Sequence, residues 1–148
     1  MRLLVLLFSL LFMSVAAANE GGKESEAEAG VKYMEMTPKF TVNLAEPKKF
    51  LMINVQLLVE GAVAIEQVKK HMPALRHELI MLYSGRPAES LQTIEQREAL
   101  RQETTAIIKE TLEKMVSSDS HGAEEKEHPE AGPHDGFKEA YFTEFLIN

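Results

Sequence analysis

The chain has 148 residues, no cysteine and no tryptophan, and a formal net charge of −7. Without cysteine it forms no disulfide and holds no thiolate metal site, so packing must stabilise it. An acidic balance excludes nucleic acid as a natural partner, because phosphate binding needs clustered lysine and arginine.

The N-terminus predicts export. Met1-Arg2 is a short positive region, and Leu3–Val15 is apolar apart from Ser9 and Ser14. Ala16-Ala17-Ala18 supplies small residues for cleavage before Asn19. The apolar stretch Leu3–Ala18 has 16 residues, short of the roughly 20 that span a bilayer comfortably. Residues 1–18 are therefore expected to be a cleaved signal segment, the alternative being a retained anchor. Cleavage removes Arg2 and no acid, which takes the charge from −7 to −8. Residues 19–30 (NEGGKESEAEAG) are small and acidic and are expected to be a flexible tether.

Residues 31–148 are expected to form one domain. Val31 to Leu44 reads as extended, with Phe40, Val42 and Leu44 alternating with polar residues and Pro38 at an edge or bend. After the turn Ala45–Lys49, the run Phe50–Val59 carries Leu51, Ile53, Val55, Leu57 and Val59 on one face. The two runs predict an antiparallel hairpin. Beyond Gly61 the period changes: Ile65, Val68, Met72, Leu75, Leu79 and Leu82 predict an amphipathic helix. Pro73 predicts a kink or a break near His71–Met72, and Ser84-Gly85-Arg86-Pro87 ends the helix.

Thr93 and Gln96 form a capping box for a second helix running to about Val116. Its inner stripe is Leu100, Thr104, Ile107, Ile108, Thr111, Leu112 and Met115. Residues 117–136 contain no large apolar side chain and predict a mobile loop. Phe137–Ile147 returns to strand composition and is expected to join the hairpin. The order strand, strand, helix, helix, strand gives an α+β fold, two helices on a small antiparallel sheet.

No catalytic constellation is visible. His71 and His77 interleave with charges and read as exposed helix residues. His121, His128 and His134 lie in loop 117–136 among Asp119, Glu124, Glu125, Glu127, Glu130 and Asp135. Imidazole and carboxylate bind zinc or copper, but the spacing is loose, so a solvated linker is the simpler reading and metal capture the alternative. Met34, Met36 and Met52 read as strand packing. No serine sits in a nucleophile turn, and Gly85 belongs to no phosphate loop. The residues alone thus indicate a non-enzymatic module, with no catalytic, cofactor or metal site and no small-molecule substrate assigned.

The same residues carry a resemblance. Tyr33 with Phe40-Thr41-Val42-Asn43-Leu44, the strand Phe50–Val59, Met72-Pro73-Ala74-Leu75-Arg76 through Leu79-Ile80, and Leu91-Gln92-Thr93-Ile94-Glu95 with Leu100-Arg101 occur in order. With the terminal Tyr141-Phe142-Thr143-Glu144-Phe145-Leu146-Ile147-Asn148, the chain resembles the flagellar basal-body-associated FliL family over about residues 31–148. It departs in its short apolar N-terminal segment, in Gln96 where the family commonly has glycine, and in the charged insertion 117–136. The resemblance implies a periplasmic domain at the inner membrane with a stomatin-like (SPFH-like) fold. It also implies a homo-oligomeric ring around the stator units of the flagellar motor, holding them open and raising torque under load. Lys69, Lys70, Arg76, Glu95 and Arg101 are candidates for complementary patches between copies.

Overall fold

The structure, a computed structural model, describes residues 30–119 and 136–148. Its strands are β1 (Val31–Glu35), β2 (Phe40–Asn43), β3 (Phe50–Glu60) and β4 (Phe137–Ile147). Its helices are α1 (Ala62–Tyr83) and α2 (Ile94–Asp119), joined through a short 3-10 turn at Ala88–Leu91. β3 is the centre of one antiparallel sheet: β1 and β2 lie along one side of it and β4 along the other. Leu51, Ile53, Val55, Leu57 and Val59 are fully buried on the face covered by the helices, while Met52, Asn54, Gln56 and Leu58 are half-buried on the other. The class is α+β, as the patterning indicates.

The expected element order needs one correction. Val31 to Leu44 is not one strand. A cis peptide at Thr37-Pro38 bends it into β1 and β2. Glu35 pairs with Gln56 and Phe40 with Ile53, so residues 36–39 oppose only residues 54–55. An excess of one residue would turn every later side chain to the opposite face. This excess is two, and the facing is kept: Met34, Met36, Phe40, Val42 and Leu44 are all buried. That is why the alternation reads as continuous although the strand is not. The burial of Met34 and Met36 agrees with a packing role.

β4 shows the opposite case. Its register against β3 shifts between Asn54 and Val55 and again between Leu58 and Val59. Each bulge inserts one residue, Thr143 and then Lys138, and resets the facing. Phe137, Ala140, Phe142, Phe145 and Ile147 thereby all oppose buried positions of β3.

α1 continues unbroken through Pro73, which corrects the expected break. Pro73 and Lys69, whose carbonyl loses its helical partner, are both exposed, so water can satisfy that group. Val68 before the proline and Leu75 after it are both fully buried, and packing holds the axis together. A second correction concerns His71, which is buried rather than exposed. The inner stripe is rotated slightly from the expected one, through Ala64, Ile65, Val68, His71, Leu75, Leu79 and Tyr83, with Met72 and Leu82 at its margin. His71 Nε2 lies 3.1 Å from Asp119 Oδ2, and Lys70 Nζ lies 2.5 Å from the same oxygen. His77 is exposed, as expected.

α2 begins at the predicted cap. Gln96 N–H donates to Thr93 Oγ1 at 3.2 Å, and Thr93 N–H donates to Gln96 Oε1 at 3.0 Å. The helix outruns its expected end by three residues, to Asp119. Ser117 and Ser118 fold their hydroxyls back to the carbonyls of Glu113 and Lys114, and Asp119 is held by α1. The remainder of the predicted loop, 120–135, lies outside the described residues, as do the predicted signal segment and all but the last residue of the tether. Among the described residues no helix is long and apolar enough to cross a membrane.

Tyr83 knits the layers together. It is fully buried, with its ring edge-on to Phe40 of β2 (5.6 Å) and to Phe142 of β4 (6.3 Å). Burial pushes its phenol pKa upward, keeping it protonated. Thr104 donates its hydroxyl proton to Leu100 O at 2.8 Å, so Tyr83 must be the donor in the 3.0 Å Tyr83–Thr104 bond. Tyr83→Phe is expected to lower unfolding stability by about 1–1.5 kcal/mol, the net worth of a hydrogen bond, measured by urea denaturation.

Gly136 offers a second test. A Cβ there would stand 2.2 Å from the Glu60 carbonyl oxygen and 2.4 Å from Ala64 Cβ. The glycine lets β4 approach the start of α1, where Glu60 N–H donates to Gly136 O at 2.7 Å. Gly136→Ala is expected to cost about 1–3 kcal/mol, as overpacking does, while Gly85→Ala meets no steric contact but stands at φ 72°, so in the same denaturation series it reports left-handed backbone strain alone, about 1–2 kcal/mol.

Candidate interaction site

The polar chemistry of the fold gathers where the first turns of α2 meet β4. The capping box fixes the start of α2 and leaves Ile94 80 % exposed. One turn on, Arg97 donates its Nε–H to Leu91 O at 3.0 Å and lays its guanidinium over the Phe145 ring, 4.8 Å from the centroid. A further turn along, Arg101 is held by Glu98 in a bidentate pair at 2.8 and 2.6 Å. The same guanidinium donates to Ala140 O at 3.1 Å and lies 3.7 Å from Glu139. Ala140 N–H donates to Thr105 Oγ1 at 3.1 Å. Two side chains of α2 thus occupy the outward backbone groups of β4 at one residue. A groove of about 340 Å³ lies between helix and strand, lined by Ile94, Arg97, Phe142 and Phe145 together with Tyr141 and the paired Glu98 and Arg101.

These contacts revise the expected patches. Arg101 is a bolt inside the fold and not a free surface charge. So is Arg76, which donates to Met36 O at 3.1 Å and Pro38 O at 2.8 Å and stacks 4.4 Å over the Phe40 ring. It ties the β1–β2 bend to α1. Lys70 is committed to Asp119. Lys69 and Glu95 are exposed; the Glu95 carboxyl lies below its usual range, held first by its own backbone N–H and then by Thr93. Arg86 of the inter-helix turn pairs with Glu103 of α2. Ile94, Phe142 and Phe145 stand in the sequence only as motif residues and Arg97 not at all; none reads there as a site residue, because their meeting depends on how β4 returns to the sheet. Among the described residues no three His, Asp or Glu side chains cluster as a metal site. His121, His128 and His134 lie outside those residues.

Glu98 gives the site a pH signature. Hydrogen bonds from Arg101, then from Gln102, lower its pKa from 4.5 to about 2. A carboxylate with a depressed folded-state pKa stabilises the fold above its unfolded value and loses that contribution as pH falls through the folded one. The window is therefore from about pH 4.5 down to about pH 2. Thermal unfolding by circular dichroism across this window is expected to show a smaller fall in Tm for Glu98→Gln than for the unaltered chain. Equal falls would show that the Glu98–Arg101 pair adds nothing.

Comparison with known proteins gives the context of this architecture. A family model described as flagellar basal body-associated protein FliL matches residues 33–147, from β1 to the last residue of β4. A curated relative, the flagellar protein FliL of Aquifex aeolicus (strain VF5), is 29 % identical over 127 residues. The aligned part covers 84 % of this chain and 66 % of the relative, so the chain spans just under two thirds of that protein's length. The match takes in all four strands and both helices, and the chain belongs to the FliL family of flagellar basal-body-associated proteins.

Proposed function

We propose that this chain is a non-enzymatic component of the flagellar basal body that associates with the motor stator and supports torque, rotation and swimming or swarming. The observation that carries the reading is the family match, which runs across the whole described fold. In this reading residues 1–18 direct export and are cleaved before Asn19, and the domain works in the periplasm at the inner membrane. Copies assemble through a stomatin-like fold into a ring around the ion-conducting stator units and hold them in their open form. The physical features are compatible with a scaffold. At the α2–β4 junction Glu98 and Arg101 bind each other and Arg101 binds the Ala140 carbonyl, the wiring of a rigid body rather than of a catalyst.

A clean deletion tests this. Swimming and swarming are measured at low and high viscosity, with filaments counted by microscopy and the gene restored in trans. The expected outcome is a loss of speed that grows with load while filaments persist. Unchanged motility at every load, after deletion of any second family copy as well, would overturn the stator role.

A further inference from the structure

The edge of β4 is used unevenly. Asn148 N–H donates to Phe50 O at 3.0 Å, and Phe50 N–H donates to Asn148 O at 2.9 Å. Such doubly bonded pairs alternate along an antiparallel ladder. With Leu146 opposite Met52 and Glu144 opposite Asn54, the alternation directs their backbone groups toward β3 and those of Phe145 and Ile147 outward. At Ala140 the outward groups are taken by Thr105 and Arg101. At Phe145 and Ile147 no described residue takes them, and an edge with open backbone groups is a template for another strand.

The groove beside this open edge has its own chemistry. Phe142, Phe145 and the exposed Ile94 make much of its wall apolar, and Glu98 and Arg101, which also line it, are paired with each other. Arg97 uses only Nε, on Leu91 O; its two terminal nitrogens have no partner among the described residues. That is notable in a chain with 23 acidic residues against 16 lysines and arginines. Arg76, Arg86 and Arg101 all place a terminal nitrogen on a carbonyl or carboxylate.

We propose that the β4 edge receives an extended segment of a partner protein that carries apolar side chains and a carboxylate. The segment adds as a strand between β4 and the start of α2, with apolar side chains against Phe142, Phe145 and Ile94 and its carboxylate on Arg97. Backbone bonds to Phe145 and Ile147 give affinity, and the groove gives selectivity, as in other strand additions. Composition excludes this chain's own remaining segments: 19–29 and 120–135 have no large apolar residue, and 1–18 has no acid. A two-fold pairing of β4 with the β4 of a second copy is disfavoured because it brings the two Arg97 side chains toward each other. The inference does not depend on the motor reading.

The test pans a random dodecapeptide display library on the full chain. The enriched peptide is then measured by fluorescence anisotropy. The expected winner alternates apolar residues around an Asp or Glu and shifts the amide resonances of Phe145 and Ile147. Arg97→Glu should weaken it at least tenfold, and exchanging the peptide's acid for lysine should restore binding to that variant. Ile94→Asp, at a side chain that buries little, should also weaken it, and N-methylation of alternate peptide amides should abolish it. Winners without an acid, affinity indifferent to both variants, or no saturable winner would overturn the proposal. So would sedimentation showing a dimer in which these amides are already protected, which would give the edge to a second copy.

Discussion

Everything in this fold depends on β3 being paired along both sides. Its five alternate apolar residues lie at zero exposure, which is possible only if strands flank them and helices cover them. β1 and β2 supply one flank and β4 the other. β4 comes from the far end of the chain, so the core closes only when the last residues return to the sheet. A long-range pairing of this kind must offset its own loop-closure cost, and the dense contacts of Tyr83 with β2, β4 and α2 help to do so.

Arginine is used in this protein as a fastener. Arg76 stitches the β1–β2 bend to α1, Arg86 stitches the inter-helix turn to α2, and Arg101 stitches α2 to β4. Each lies on a margin where backbone carbonyls or carboxylates emerge from regular structure. A planar guanidinium can bond two such groups while stacking on an aromatic ring, which suits the edges of a small sheet. Surface pairs of this kind contribute little one at a time; their value here is geometric, since they set where the helices sit against the strands. Arg97 has the same stacked geometry but lacks a terminal partner, which distinguishes its groove from the other margins.

Much of this was legible in the residues. The hairpin, both helices, the capping box, the glycine-bearing end of α1 and the returning last strand follow from apolar period and turn chemistry. So does membership of the family, because order and spacing of short motifs survive where overall identity is low. Less legible were features that depend on a partner distant in sequence. His71 reads as exposed beside Lys69 and Lys70, since nothing local reveals that Asp119 waits for it at the end of α2. Pro73 reads as a kink or a break, and the break does not occur, since local rules do not weigh the packing of Val68 and Leu75 on either side.

What the sequence determined by itself was the alternation of β3, the helical stripes, the cap residues and the acidic balance. These are local quantities, set by side-chain period and by bonds within a few residues. The tertiary structure alone decided that residues 36–39 oppose only 54–55, that Thr143 and Lys138 bulge, and that Arg76 and Arg101 are bolts rather than patches. Register, edge closure and the pairing of charges are relations between segments far apart in the chain, and they come into being only when the sheet closes and the helices settle on it.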